Sequence, residues 1–267
     1  CAIPVWHDDA QGTGCVTLAA VFNALKMVGK DLPACRIVLN GAGASNTTIA
    51  RLLMLAGADP ARMVLLDSRG GLHRGRDDIA ADSRHARKWE LCQTTNPDRI
   101  RDLPGALTHA DLLISLSRPG PGMIQPEWIR AMAPQPIVFA CANPTPEIYP
   151  HEAHQAGAAI VATGRGDFPN QVNISLGFPG ILKGTLLVRA RQITDTMALA
   201  AARAIAAFAE RQGLSPERIM PTMDDQDVFA ETAAAVAAQA VADGVAQRPL
   251  APGVVLQMAR KDIAEAQ

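Results

Sequence analysis

Arg36-Ile37-Val38-Leu39-Asn40-Gly41-Ala42-Gly43-Ala44-Ser45-Asn46 is the stretch that decides the fold. Its first half is a short apolar run that reads as a buried strand. Its second half is a glycine turn leading into a helix over 47–56, which Gly57 stops. Asp59-Pro60 then turns the chain into a second apolar run, Met63-Val64-Leu65-Leu66-Asp67. Together these make a βαβ unit, the crossover that two parallel strands require. Glycines at a strand-to-helix turn allow a tight bend and close approach of the backbone to a pyrophosphate, which the helix N-terminus stabilises. Asp67 ends the second strand, where a carboxylate accepts the hydroxyls of an adenine ribose. A glycine pattern alone is weak, and a tight turn in an α/β protein without cofactor is the bland alternative. The strand before it, the helix after it and Asp67 weigh against that alternative. Asn46 stands at the third glycine position, which predicts slightly looser packing of the helix on the sheet.

Outward from this unit the pattern repeats. Residues 111–116, 137–141 and 158–162 read as further buried strands, with a helix over 126–132. Upstream, apolar spacing predicts a helix over 13–28, with Gly29 as its stop. Gly70-Gly71 and the polar stretch 74–101 read as a solvated loop and surface helix rather than an anion site. From Gly177 the character changes, and Ala-rich amphipathic helices are expected over 193–211 and 227–243. A last helix, 254–265, follows prolines clustered at 249–252. Strands alternating with helices, then helices alone, describe an α/β protein with a doubly wound, Rossmann-type parallel sheet and an α-helical C-terminal extension. The expected division is a lead-in at 1–30, a dinucleotide-binding domain at 31–190 and the helical extension at 191–267.

Composition narrows the function classes. The 267 residues are 48% hydrophobic and 19% charged, enough for a full core. A formal net charge of −1 gives no basis for a nucleic acid or membrane partner. Cys1, Cys15, Cys35, Cys92 and Cys141 are odd in number and scattered, which favours reduced thiols and a cytoplasmic protein over a disulfide or zinc framework. No stretch approaches the roughly 18 apolar residues of a membrane span. The chain starts at Cys1, without an initiator Met and inside a motif, and is expected to be part of something longer.

That motif is Ile3-Pro4-Val5-Trp6-His7-Asp8-Asp9-Ala10-Gln11-Gly12-Thr13-Gly14. Two adjacent carboxylates on extended backbone point to opposite faces, so one can face a divalent cation while its neighbour bonds another group. Mg²⁺ or Mn²⁺ prefers such oxygen ligands but needs more than one. A solvated acidic pair is the alternative. Arg69, two residues beyond Asp67, either pairs with a 2′-phosphate and admits NADP or is an ordinary surface arginine; Asp67 leans the balance to NAD. Asn143, in Ala142-Asn143-Pro144-Thr145-Pro146-Glu147, follows a strand at the sheet edge where ligands bind, and its amide suits a carboxamide or a hydroxy-acid carboxylate. Asp167-Phe168-Pro169-Asn170-Gln171-Val172-Asn173 is an amide-rich loop able to hold an anionic substrate. Both loops are open to the alternative of ordinary turns.

Five of these segments occur in one order: His7-Asp8-Asp9 with Gly12-Thr13, Asn40-Gly41-Ala42-Gly43-Ala44, Ala142 to Ile148, Ala162-Thr163-Gly164-Arg165, and Phe168 to Asn173. In this the chain resembles the bacterial malic enzymes over essentially its whole length. The resemblance implies oxidative decarboxylation of (S)-malate to pyruvate and CO₂, with NAD or NADP and Mg²⁺ or Mn²⁺, in an oligomeric enzyme. By the same resemblance Asp9 is a metal ligand and Asp8 hydrogen-bonds a catalytic lysine. Gly41, Ala42, Gly43, Ala44 and Ser45 cradle the pyrophosphate, Asp67 meets the ribose, Asn143 contacts the nicotinamide and the substrate, and Asn173 lies by the malate carboxylate. The family often has Asn where Ile174 stands, and Gly where Asn46 stands. Its catalytic tyrosine and lysine, and a Glu-Asp pair of metal ligands, precede the His-Asp-Asp run. Tyr149 and Lys183 do not match those motifs. The chain is therefore expected to be an incomplete, inactive half that needs its N-terminal half. A non-catalytic dinucleotide-binding or interaction domain of the same fold is the rival reading.

Overall fold

The apolar runs form the strands of a single sheet. In the computed structural model, which describes residues 3–265, the elements follow as α1 Thr13–Met27, β1 Ile37–Asn40, α2 Ala44–Leu55, β2 Met63–Asp67, β3 Gly70–Gly71, α3 Asp77–Ala80, α4 Ala86–Thr94 and α5 Leu103–Leu107. They continue as β4 Leu112–Ser115, α6 Pro126–Arg130, β5 Ile137–Ala140, α7 Pro150–Gln155 and β6 Ile160–Thr163, and end in α8 Phe178–Leu187, α9 Asp195–Arg211, α10 Asp227–Ala242 and α11 Pro252–Glu265. The sheet order is β3-β2-β1-β4-β5-β6. Ile37 pairs in parallel with Met63 on one side and Leu112 on the other, so the strand order reverses at β1. In open α/β sheets the crevice at such a reversal, outside the strand C-termini, is where ligands bind. This is the Rossmann-type α/β fold.

Every residue of β4, β5 and β6 is buried, as expected where helices cover both faces of a parallel sheet. One face packs Val38, Val64, Leu66, Leu113, Val138 and Val161 against Leu107, Ile129 and Ile148 of the covering segments. Gly70 and Gly71, read from sequence as loop, form a short antiparallel edge strand on β2. Gly70 takes φ +114, and a Cβ on Gly71 would lie 2.0 Å from Ile100 O, so only glycines fit here. Helix α2 starts at Ala44 rather than at 47, because Thr47 N–H already closes a helical bond to Gly43 O at 3.0 Å.

The chain forms two compact units: Ala24–Val172 holds the sheet, and Cys1–Asn23 joins Asn173–Gln267 in the other. The boundaries between these units fall at 23/24 and 172/173. The lead-in groups with the C-terminal helices because Asn23 donates to Ala206 O and Ile219 O, at 3.1 and 2.8 Å. In that unit α8 lies close on α10, where Gly180 and Gly184 replace side chains: a Cβ at Gly184 would sit 2.4 Å from Ala233 O. Cys15, Cys35, Cys92 and Cys141 are buried free thiols; Cys1 lies outside the described residues. Among the described residues no helix is long and apolar enough to cross a membrane.

Candidate dinucleotide-binding site

The glycine turn sits at the C-terminal end of β1, at the reversal of strand order. Gly41 takes φ +95, and a Cβ there would lie 2.5 Å from Leu116 O, so this glycine sets both the bend and the contact with the segment after β4. The N–H groups of Gly41 and Ala42 both donate to Leu66 O, at 2.9 and 2.7 Å, which ties the turn to the end of β2. Gly43 differs. It is exposed, has φ −85, and a Cβ there would meet nothing within 4 Å. Gly43 is the N-cap of α2 and precedes Ala44 and Ser45 of its first turn, the positive end of a twelve-residue helix dipole. An anionic group fits there.

Asn46 is fully buried, and its Nδ2 donates to Asn40 O at 2.8 Å and Gly41 O at 3.1 Å. The amide bonds two carbonyls at the end of β1 and clamps α2 to the strand, although its Oδ1 is buried without a partner. From Asn40 the polar contacts continue, with its Nδ2 donating to Ser115 Oγ at 2.9 Å and Ser117 Oγ at 3.1 Å. These in turn meet Glu147, whose side chain is completely buried. Glu147 Oε1 accepts from Ser115 Oγ at 2.7 Å, Ser117 N at 3.0 Å and Ser117 Oγ at 3.2 Å, and Oε2 accepts from Ala142 N at 3.1 Å. Along the chain Glu147 is only one residue of the loop Ala142 to Glu147. Its distinguishing signal, a lone acid amid apolar and turn residues, carries no address for its partners.

Asp67 ends β2 as expected, but it is not a bare ribose ligand. Arg76 grips it with both nitrogens, Nη1 to Oδ1 at 3.0 Å and Nη2 to Oδ2 at 2.9 Å. The same guanidinium reaches Asp78 through Nε and Nη2, at 2.7 and 2.9 Å. Arg76 is 8% exposed, so the reading of 74–101 as solvated fails at this residue. Paired on both sides, the charge tolerates burial. Burial works against ionisation of Asp67, yet the Arg76 bonds and the Arg69 N–H, 2.9 Å away, outweigh it and hold the carboxyl below its ordinary value. Arg69 itself is exposed and donates to Asp78 Oδ2 at 3.1 Å. A polar pocket of about 360 Å³ opens beside Asp67, lined also by Arg69, Asp82, Arg84 and Lys88. Arg84 is paired with Asp82 at 2.7 Å, while Lys88 pairs with no carboxylate among the described residues.

At the other end of the edge, Asn143 is exposed after β5, next to a cis Asn143-Pro144 bond. A Cβ on Gly164 would lie 3.0 Å from Asn143 Nδ2, so this glycine leaves the space in which the amide lies. Arg165 donates to Pro144 O at 2.6 Å and pairs with Asp167, joining the two loops. Phe168 closes against Tyr149 at a centroid distance of 6.3 Å. Tyr149 also stacks on His151, and Lys183 is paired with Asp262.

In the second unit, Asp8 and Asp9 open a short π-helical turn, Asp8–Gly12, rather than continuing extended backbone. Residues one apart on a helix still diverge by roughly 100°, and Asp8 is half-buried while Asp9 is exposed. Trp6 Nε1 donates to Asp8 Oδ1 at 3.0 Å. A Cβ on Gly12 would fall 2.0 Å from that oxygen, so Gly12 makes room for the carboxylate. Asn173 Oδ1 accepts from Ser175 N at 2.9 Å and caps the turn Ile174–Leu176. Among the described residues no group of three or more His, Cys, Asp or Glu side chains is placed to hold a metal ion.

Comparison with known proteins matches residues 10–241 to the family described as "Malic enzyme, NAD binding domain". The crystal structure of the Entamoeba histolytica malic enzyme is 60% identical with a TM-score of 0.98, covering 100% of this chain and 55% of that one. The malic enzyme from Pyrococcus horikoshii is 44% identical with a TM-score of 0.92, covering 97% of this chain and 60% of that one. The bifunctional malic/malolactic enzyme of Bacillus subtilis strain 168 is 42% identical over 260 residues, covering 97% of this chain and 62% of that protein. The chain therefore spans only part of the relatives it matches, from about a third to 62% of the curated proteins' length. It belongs to the malic enzyme NAD-binding domain family.

Proposed function

We propose that this chain is the coenzyme-binding part of an enzyme that oxidatively decarboxylates (S)-malate to pyruvate and CO₂. The observation that carries the reading is the open space at Gly43, at the strand-order reversal and over the N-terminus of α2, in a chain of this family. When bound, the nicotinamide supplies the hydride acceptor for C2 of the substrate. The chain's own residues seat and orient it: Gly43, Ala44 and Ser45 hold the pyrophosphate, Asp67 the ribose, and Asn143 the nicotinamide end. Asn173 has its amide nitrogen left for the malate carboxylate after its oxygen caps the next turn. Asp9 is assigned to a Mg²⁺ or Mn²⁺ shell and Asp8 to the catalytic lysine, but the described residues do not form a cation site by themselves. The remaining ligands, the base and the acid are assigned to the part of the relatives outside this chain. Tyr149 and Lys183 are engaged elsewhere and take neither role.

Coenzyme choice follows from Arg76. With both Asp67 oxygens bonded to a guanidinium, the repulsion of a 2′-phosphate is offset, and Lys88 is available beside it. NAD⁺ and NADP⁺ are expected to bind within about tenfold of each other, a difference of roughly 1.4 kcal/mol, with NAD⁺ ahead. Calorimetric titration of the chain with each coenzyme tests the reading, and absence of both heat and thermal shift with either overturns it. The 267 residues alone are expected to show no malate-dependent coenzyme reduction. Adding the missing segment of a relative is expected to restore a reaction that requires Mg²⁺ or Mn²⁺. Malate oxidation by the present chain alone would refute the division of labour.

A further inference from the structure

We infer that Glu147 is a positioning residue that sets where the nicotinamide-contacting loop stands relative to the glycine turn. The inference rests on the coenzyme reading above and goes beyond it. The glycine turn is anchored independently, through Gly41 N and Ala42 N to Leu66 O on β2. The loop after β5 has a different anchor: Ala142 N, one residue before Asn143, donates to Glu147 Oε2 at 3.1 Å. The other oxygen of the same carboxylate accepts from Ser117 N at 3.0 Å, in the segment whose Leu116 O abuts Gly41. One buried side chain thus ties the end of β5 to the end of β4, and Asn40 and Asn46 extend the chain of contacts to β1 and α2.

The chemistry of the pair of N–H groups requires a carboxylate. Each oxygen of Glu147 receives one backbone N–H, and a backbone N–H only donates. Glutamine keeps the shape but has one acceptor oxygen, so its NH₂ must face either Ser117 N–H or Ala142 N–H, donor against donor. Among the described residues Glu147 forms no ion pair, so its fit depends on these four bonds. Buried polar groups left half-satisfied shift the backbone around them. The orientation that keeps the oxygen on Ser115 and Ser117 retains three of the four bonds and sets the NH₂ against Ala142 N–H, so the shift falls on Ala142 and Asn143 while the turn keeps its own bonds to Leu66 O.

Titration of wild type and Glu147→Gln with NAD⁺ and with ADP-ribose, which lacks the nicotinamide, separates the two ends of the ligand. The expected result is an NAD⁺ dissociation constant raised about tenfold or more in the variant, with ADP-ribose binding within about twofold of wild type. A variant that loses both ligands in equal proportion, or neither, overturns the inference alone. A wild-type chain that binds neither overturns the coenzyme reading and the inference with it. Should Glu147→Gln not fold, Glu147→Asp keeps both acceptor oxygens and leaves the Asn40 bonds to Ser115 and Ser117 in place, but shortens the reach to Ala142 N and Ser117 N. It is expected to weaken NAD⁺ by about threefold and leave ADP-ribose unchanged; an unchanged NAD⁺ affinity there overturns the inference.

Discussion

Gly43→Val separates binding from folding. The new side chain enters a space in which nothing beyond its two chain neighbours lies within 4 Å of its Cβ, on a backbone at φ −85 that any residue adopts. Stability is therefore expected to stay within about 0.5 kcal/mol of wild type, the range of an exposed substitution. The same carbons occupy the position proposed for the pyrophosphate, beside Ala44 and Ser45. Displacing two hydrogen bonds to a charged group, at about 1.5 kcal/mol each, costs about 3 kcal/mol, or roughly 100-fold in dissociation constant. Gly41→Ala is the opposite case. It strains a residue at φ +95 and drives a Cβ to 2.5 Å from Leu116 O, so it is expected to cost about 2 kcal/mol or more of stability. Urea titration followed by circular dichroism reads the first quantity and calorimetry with NAD⁺ the second. A Gly43→Val chain that binds NAD⁺ like wild type, or unfolds like Gly41→Ala, refutes the reasoning.

Arg76→Met strips the partner from Asp67 at a site where the two side chains are 10% and 14% exposed, and is expected to cost about 2–3 kcal/mol near neutral pH in urea titration. The pH dependence has a definite sign: the Asp67 carboxyl is depressed in the folded state, so its contribution is present above an unfolded value of about 3.9 and is lost as pH falls through the folded one. The deficit of the variant must shrink below about pH 4, and a deficit independent of pH would contradict the pairing. Gly12→Ala brings a Cβ to 2.0 Å from Asp8 Oδ1 and is expected to dislodge that carboxylate from Trp6, moving the Trp6 indole N–H resonance upfield; an unmoved resonance contradicts the packing. In an enzyme completed with the missing segment, Asp9→Ala is expected to lose most activity at low Mg²⁺ and recover at high Mg²⁺, while Asp8→Ala lowers turnover with little change in metal affinity. The reverse pattern would exchange the two roles.

Much of the architecture was legible along the chain because its determinants are local. The apolar runs at 37–40, 63–67, 112–115 and 137–140 are short and continuous, and two-sided burial under helices demands such runs. Gly41 and Gly43 mark the turn because only a residue without a Cβ permits its bend and its open face. Asn143, Asp67 and the Asp8-Asp9 pair were picked out by their place at strand or helix ends, a property that residue order carries. The edge strand Gly70–Gly71 escaped notice since two glycines have no periodicity.

What residue order does not carry is who meets whom. Arg76 looks like one more surface arginine in a polar stretch, and only the folded chain brings its guanidinium onto both oxygens of Asp67, changing what that carboxylate presents to a coenzyme. Asn46 looks like a flawed third glycine until its amide is seen to bond the carbonyls of Asn40 and Gly41. Glu147 takes its meaning from Ser117, thirty positions away, and Ala142, five away, on different strand ends. Helix and strand formation depend on neighbours a few residues apart, which sequence periodicity records. The pairing of a buried charge depends on groups made neighbours by the sheet's strand order, and that is decided by the tertiary structure.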